Sequence, residues 1–368
     1  MDRMAKTCLT VCTTISSDPH LQSLCARALF KFTANAAQVR LLPFSKYSKK
    51  LSMKKIASIL FLLAATTWCG FSQQQHHYTQ FMFNKLPFNP AYAGARRVPS
   101  VTAIYRNQWM GFEGAPQSFL ASFNTPFITP RVGMGLVLSH VALGLNRDLV
   151  ASLSYSYDLV SHDKLSLRAG LMGTFRSLTI DFTKAQPDEQ FDQSLNTTRE
   201  NNFLMNVGAG LYLTYDNRFY AGFSAPRIYT NTLGINENLP QGFETARESR
   251  HFYGMAGAVL PLGDGLNLMP ALFAKYVQNA PFDLDVNVNL EINEKITTGL
   301  SYRMGGDGAG ESVDLILYWQ AHQQFGIGVA YDFSLSRIRD YTAGSIEVLL
   351  QADLRAGKRK MSNPRFFM

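Results

Sequence analysis

The sequence predicts an all-β chain: a transmembrane antiparallel β-barrel of about fourteen strands, preceded by a short amino-terminal segment that folds back as a plug. Three observations predict it. Apolar and polar residues alternate with period 2 in one run after another beyond residue 99. Most runs have about 9–13 residues, which matches the roughly 9–11 that a tilted strand needs to cross a bilayer and exceeds the ~5–6 of ordinary sheets. The connections between runs alternate short and long, as in outer-membrane barrels with short periplasmic turns and longer outer loops.

The front of the chain stands apart in charge. The 368 residues carry a formal net charge of +8, from 35 Lys/Arg and 27 Asp/Glu. Removing the ten Lys/Arg and two Asp of residues 1–72 leaves 25 of each sign. The basic balance therefore belongs to the front, and the remainder lacks the basic surface that nucleic-acid binding requires. All four cysteines, Cys8, Cys12, Cys25 and Cys69, also precede residue 73, which excludes disulfides and cysteine-based metal sites after it.

Met53-Lys54-Lys55 is a basic start, followed by the ten-residue apolar run Ile56 to Ala65, the pattern of a signal peptide. Gly70 and Ser72 stand at −3 and −1 of a cut before Gln73, and a cut one residue later reads equally well. Residues 53–72 are thus expected to be an export signal. Residues 1–52 are basic, poor in acids and rich in Ser/Thr. They have the composition of an organellar transit peptide, or are upstream sequence in front of a start at Met53.

Residues 73–99 are expected to form the plug or a periplasmic contact. They are Gln-rich at first, then contain Phe81-Met82-Phe83-Asn84-Lys85 and Phe88-Asn89-Pro90-Ala91-Tyr92-Ala93-Gly94. Asn89-Pro90 favours a turn and Gly94 supplies a permissive backbone. Beyond them the barrel, residues 100–368, is read as strands at 100–110, 115–125, 131–141, 149–159, 164–177, 203–215, 218–226, 251–262, 265–278, 282–293, 295–304, 311–321, 324–336 and 342–355. Residues 283–293 show the alternation best, with Leu284, Val286, Val288, Leu290 and Ile292 on one face and Asp283, Asp285, Asn287, Asn289, Glu291 and Asn293 on the other. The apolar face must leave water, and a closed barrel pairs every backbone group with no free edge in lipid. A soluble sandwich is the rival fold, but it uses shorter strands and does not account for the connections. Those after strands 2, 4, 6, 8, 10 and 12 are short, near Pro130, Asp163, Asp216-Asn217, Gly263-Asp264, Glu294 and His322-Gln323, whereas 178–202 and 227–250 are long. Tyr155, Tyr157, Tyr212, Tyr215, Tyr318, Trp319 and Tyr331 lie toward strand ends, where an interfacial girdle is expected.

No catalytic, cofactor-binding or metal site is expected, and the chain reads as a non-enzyme. His76-His77 at the start of the plug segment is a weak metal candidate, and no histidine pair has ligand spacing on a strand face. Ser139 and His140 are neighbours, so their side chains point to opposite faces; a Ser/His hydrolase site would have to be built across strands. The loop Gly305 to Glu311 reads as a flexible turn rather than a calcium or phosphate loop, and the acids Asp188, Glu189 and Asp192 as solvated surface rather than a calcium site. Lumen charges such as Arg168, Arg176, Asp285 and Glu291 are expected to pair across strands or to line water.

The block Asn89-Pro90-Ala91-Tyr92-Ala93-Gly94, then Tyr105-Arg106-Asn107-Gln108-Trp109, then Gly114-Ala115-Pro116 resembles the PorP/SprF family of type IX secretion system outer-membrane proteins. The likeness continues at Tyr341, Gly344-Ser345 and Pro364-Arg365-Phe366-Phe367; Asn363, where many members have Cys, and the extra Met368 depart from it. The signature residues are Asn89, Pro90, Ala91, Tyr92, Gly94, Tyr105, Arg106, Gln108, Trp109 and Pro116. The resemblance implies a Bacteroidota outer-membrane component of the secretion and gliding apparatus, with outer-membrane lipid, periplasmic type IX ring or peptidoglycan-binding components and a large secreted surface adhesin as partners. The alternative is an outer-membrane channel or transporter for hydrophobic or small solutes, and fold alone does not choose between them. The two long loops are the expected contact with a surface partner.

Overall fold

The computed structural model describes residues 77–181, 199–231, 248–278, 280, 282–305 and 311–354. Their strands are β1 (Ser100–Asn107), β2 (Gln117–Phe127), β3 (Thr129–Leu143), β4 (Asn146–Ser161), β5 (Leu165–Asp181), β6 (Arg199–Tyr215), β7 (Phe219–Arg227), β8 (His251–Ala258), β9 (Leu260–Gly263), β10 (Leu266–Val277), β11 (Asp283–Ile292), β12 (Ile296–Met304), β13 (Ser312–Trp319), β14 (Phe325–Ser334) and β15 (Ser345–Asp353). Apart from β8 with β9, each pairs antiparallel with its sequence neighbours, and β1 pairs with β15 from Ser100 opposite Asp353 to Asn107 opposite Ile346. First meets last, so the sheet closes. β8 and β9 are two halves of one stave, both paired to β10 and separated by Val259. The barrel therefore has fourteen staves, the number read from the alternation.

The parity of each strand sets its faces. In β11, Asp283, Asp285, Asn287, Asn289 and Glu291 are buried while the intervening Leu, Val and Ile face outward. In β14, Phe325, Ile327, Val329 and Phe333 are exposed, and Ala330 and Asp332 point inward. This is the expected arrangement with apolar residues toward lipid and polar ones toward the lumen.

Two expectations about boundaries are corrected. A seven-residue connection was expected between strands 3 and 4, but β3 continues to Leu143 and β4 starts at Asn146. Gly144, at φ +53°, makes the tight turn between them. β5 and β6 are 17 residues each, paired as far as Asp181 opposite Arg199. The connection expected at 178–202 is thereby shortened to 182–198, which lies outside the described residues, as does most of 227–250. A third correction concerns the girdle. Tyr155, Tyr157, Tyr215 and Trp319 face outward as expected, but Tyr212 and Tyr318 are 0 % and 5 % exposed. Both have inward parity and pack against the amino-terminal segment.

Short turns join β2–β3, β4–β5, β6–β7, β9–β10, β11–β12 and β13–β14 at one end of the barrel, where β1 also begins and β15 finishes. By the general rule for such barrels this end faces the periplasm.

Candidate functional site

The lumen is where the chain's unusual chemistry collects. Residues Tyr78 to Arg96 lie inside the barrel, and all but Pro87 are buried. Local physics shapes the segment. Asn89 caps a 3₁₀ turn over Pro90–Tyr92: its Oδ1 accepts from the Ala91 N–H at 2.9 Å, and proline fills the first helical position. The Asn89 amide also donates to the Leu211 carbonyl at 2.9 Å, so the cap holds the turn to β6.

Glycines let the turn approach the wall. A Cβ on Gly170 would stand 2.3 Å from the Ala91 nitrogen, and one on Gly133 would stand 2.1 Å from the Ala93 oxygen. Gly94, at φ +70°, lies against Gly133 and donates its N–H to Asn124. No larger residue fits these backbone-to-backbone contacts.

Toward the long-loop end the segment is held by charge. The Arg106 guanidinium meets Asp332 at 2.6 Å and Glu347 at 3.2 Å and donates to the Thr79 hydroxyl at 2.9 Å. Glu347 in turn accepts the backbone N–H of Thr79 and of Gln80, each at 2.9 Å. Arg303 lies 3.3 Å from Asp285, 3.5 Å from Asp314 and 3.7 Å from Asp332. His77, the metal candidate, is bonded to Asp285 and edge-on to Phe273; His76 lies outside the described residues. Such pairs are costly to break, because removing one member leaves the other charged and buried.

Between the two anchors aromatic rings pack against the wall. Phe81 stacks on Phe273 with centroids 4.9 Å apart, Phe83 on Tyr318 at 4.6 Å, and Tyr92 meets Tyr212 edge-on at 5.5 Å. The buried Lys85 ammonium donates to the Met82 carbonyl at 2.7 Å and lies 4.6 Å from the Tyr220 ring centroid. At the short-turn end Arg96 pairs with Asp353 at 3.0 Å.

Every stave takes part. Arg106 of β1, Ser122 of β2, Gly133 of β3, Ser156 of β4, Gly170 of β5, Leu211 of β6 and Ser224 of β7 touch the segment. So do Tyr253 of β8, Phe273 of β10, Asp285 of β11, Arg303 of β12, Tyr318 of β13, Asp332 of β14 and Glu347 of β15. A cavity of about 80 Å³ remains beside Tyr78 and Phe88.

The signature residues divide into two groups. Asn89, Pro90, Ala91, Tyr92, Gly94 and Arg106 meet in the lumen. Tyr105 faces outward, and Gln108, Trp109 and Pro116 build the long-loop rim. There the Gln108 N–H donates to the Pro116 carbonyl at 3.0 Å, and the Trp109 N–H to the Ser345 hydroxyl at 3.1 Å. The expected cross-strand pairs form as well: Arg168 with Asp158 at 3.8 Å, Arg176 with Asp148 at 2.8 Å, and Glu291 with Asn267 at 2.7 Å. Glu347, Asp332, Arg303, Gly133 and Gly170 were not singled out in the sequence. Inward parity near a strand end marks the first three, and nothing local marks the glycines. Ser139 lines the cavity while His140 faces outward. Among the described residues no group of three or more His, Cys, Asp or Glu is arranged to hold a metal ion. The 305–311 loop is only partly described, and Asp188, Glu189 and Asp192 lie outside the described residues.

A family described as type IX secretion system membrane protein PorP/SprF matches residues 70–351. No curated protein matches the chain. Among solved structures the chain is similar to a Pseudomonas aeruginosa FadL homologue, at 14 % identity and TM-score 0.42 over 75 % of this chain and 94 % of that one. It is also similar to the Ralstonia pickettii toluene transporter TbuX, at 12 % identity and TM-score 0.44 over 73 % and 93 % of the two chains. Likeness this distant assigns no cargo. Barrel architecture and family together locate the chain in the outer membrane.

Proposed function

Because this chain belongs to the PorP/SprF family of type IX secretion system membrane proteins, we propose that it is a scaffold of the secretion and gliding apparatus that couples or anchors secreted surface proteins to the translocon. The observation that supports this most is the filled lumen, in which one segment is tied to all fourteen staves. A barrel packed on its own chain offers partners its two rims rather than a passage. Periplasmic ring or peptidoglycan-binding components belong at the short-turn rim, and a large secreted adhesin at the long-loop rim. The domain plan that goes with this reading has a signal at 53–72 removed after export, residues 1–52 ahead of it, a plug at 73–99 and the barrel from 100.

The test is cross-linking in the native host, followed by pull-down of the tagged barrel from outer membranes and mass spectrometry. Enrichment of type IX ring components or of one large surface adhesin is the expected result. A barrel recovered without either contradicts the scaffold and turns the reading to a channel for hydrophobic or small solutes.

A further inference from the structure

The short-turn rim has one turn unlike the rest. The others carry charged or amide side chains at their tips, at Asp163, Asp216-Asn217, Asp264, Glu294 and Gln323. The β2–β3 turn carries Phe127-Ile128-Thr129-Pro130 there, and Ile128 is 89 % exposed. Its backbone is unusual as well. Ile128 holds φ +60° and is the only β-branched residue with positive φ among the described residues; in the other turns that conformation falls to Asp, Asn, Glu and Gly. A branched Cβ is strained in the left-handed region, where asparagine or glycine is at ease. Stability thus disfavours isoleucine at this position twice, through exposure and through strain.

The turn is nevertheless braced. The β2–β3 ladder pairs Pro126 with Gly133 and then Phe127 with Thr129, so residues 130–132 bulge away from β2. Arg168 donates to the Arg131 carbonyl at 3.3 Å. Gly133, two residues further on, packs against Ala93 and Gly94 of the plug. A strained apolar tip fixed from both sides is a preorganised contact rather than a loose loop.

Charge identifies what the tip fits. Arg97 and Arg131 are exposed, and neither has an ion-pair partner among the described residues. Arg97 lies within electrostatic reach of Arg168, the residue that braces the turn. It directly follows the buried Arg96, on the lumen side of the wall, whereas lipid surrounds the outside. A surface that runs from the tip of the wall to the mouth of the lumen faces a protein, not the bilayer. We propose that Ile128, flanked by Arg97 and Arg131, is a docking peg for a folded periplasmic protein that offers an apolar pocket rimmed by carboxylates. The inference rests on the scaffold reading and on the orientation of the barrel, and it assigns periplasmic attachment to one sector of the rim.

The pull-down from cross-linked outer membranes tests it. Ile128→Asn relieves the backbone and should keep the folded band on cold gel electrophoresis, yet lower the recovery of periplasmic type IX components about tenfold. Arg97→Glu with Arg131→Glu should lower it likewise. The surface adhesin should be recovered as from the wild type, and Lys295→Glu, on another turn, should change nothing. Equal recovery of periplasmic components from the wild type and Ile128→Asn removes the peg and leaves the scaffold standing. A wild-type barrel without periplasmic components removes the scaffold reading, and the peg with it. A second measurement separates protein from lipid. Residues 73–368 contain no cysteine, so Phe123→Cys and Ile128→Cys can each carry one fluorophore in phospholipid vesicles that contain a lipid spin-labelled on its acyl chain. Phe123→Cys, on the outward face of β2, should be quenched, and Ile128→Cys should not. Equal quenching at both seats the tip in the bilayer and overturns the proposal.

Discussion

Two regions of the plug, its start and its turn, are secured by different physics. At the long-loop end, Thr79 and Gln80 are held by ionised side chains: Glu347 takes two backbone N–H groups while Arg106 bridges Glu347 and Asp332. Near the Pro90–Tyr92 turn the wall has almost no side chain at the contact, and backbone meets backbone at Gly133 and Gly170. The first device depends on both partners being present. The second depends only on the absence of a Cβ. A charged latch can be released without altering the shape of the barrel, whereas a glycine seat cannot be altered without displacing the turn.

The largest effect is therefore expected at the seat. Gly170→Leu places a side chain where Ala91 lies, so barrel and turn cannot both keep their positions. The folded, heat-modifiable band on cold gel electrophoresis should be lost. A normal yield of folded barrel would show that the turn is not rigidly seated. Next comes the latch. Glu347→Gln leaves Arg106 and Asp332 in place but removes the charge that Thr79, Gln80 and Arg106 share. The expected cost is about 3–5 kcal/mol, read as a lower denaturant midpoint in detergent or lipid. If Arg106→Leu in the Glu347→Gln background costs as much as it does alone, the latch is not a unit.

A smaller change is expected at the cap. Asn89→Ala removes the acceptor for the Ala91 N–H and should cost about 1 kcal/mol, with additional loss from the Leu211 contact. No change at all would mean that proline and the glycine seats suffice to form the turn. The smallest effect belongs outside both regions. Arg339 and Asp340 approach to 3.6 Å on the exposed rim between β14 and β15, and Arg339→Ala should leave the midpoint within about 0.5 kcal/mol. A larger shift would show that the rim is part of the folded core.

Much of this was legible in the sequence because the signals are local. Strand parity needs only neighbours, so residues 283–293 and 325–335 declare their faces directly. Asn89-Pro90 and Gly94 announce a turn by their own chemistry. What was not legible depends on register. Arg106 meets Asp332 and Glu347 across more than two hundred residues of chain, and only the closed sheet brings β1 beside β15. Gly133 and Gly170 look like any strand glycine until the turn is placed against them. Tyr212 and Tyr318 were read as girdle residues because aromatics near strand ends fit an interface; their inward parity and the presence of the plug place them in the lumen. The β3–β4 turn was missed because Gly144 sits in a run whose alternation continues through both strands.

The central claim is that the lumen is filled by the protein's own chain. Single-channel recording of the purified barrel in planar bilayers tests it most directly. The intact protein should give no stable conductance steps, including under conditions that favour solute flux. Regular steps from the wild-type protein, with the plug residues 77–96 present, would contradict the account and identify a channel.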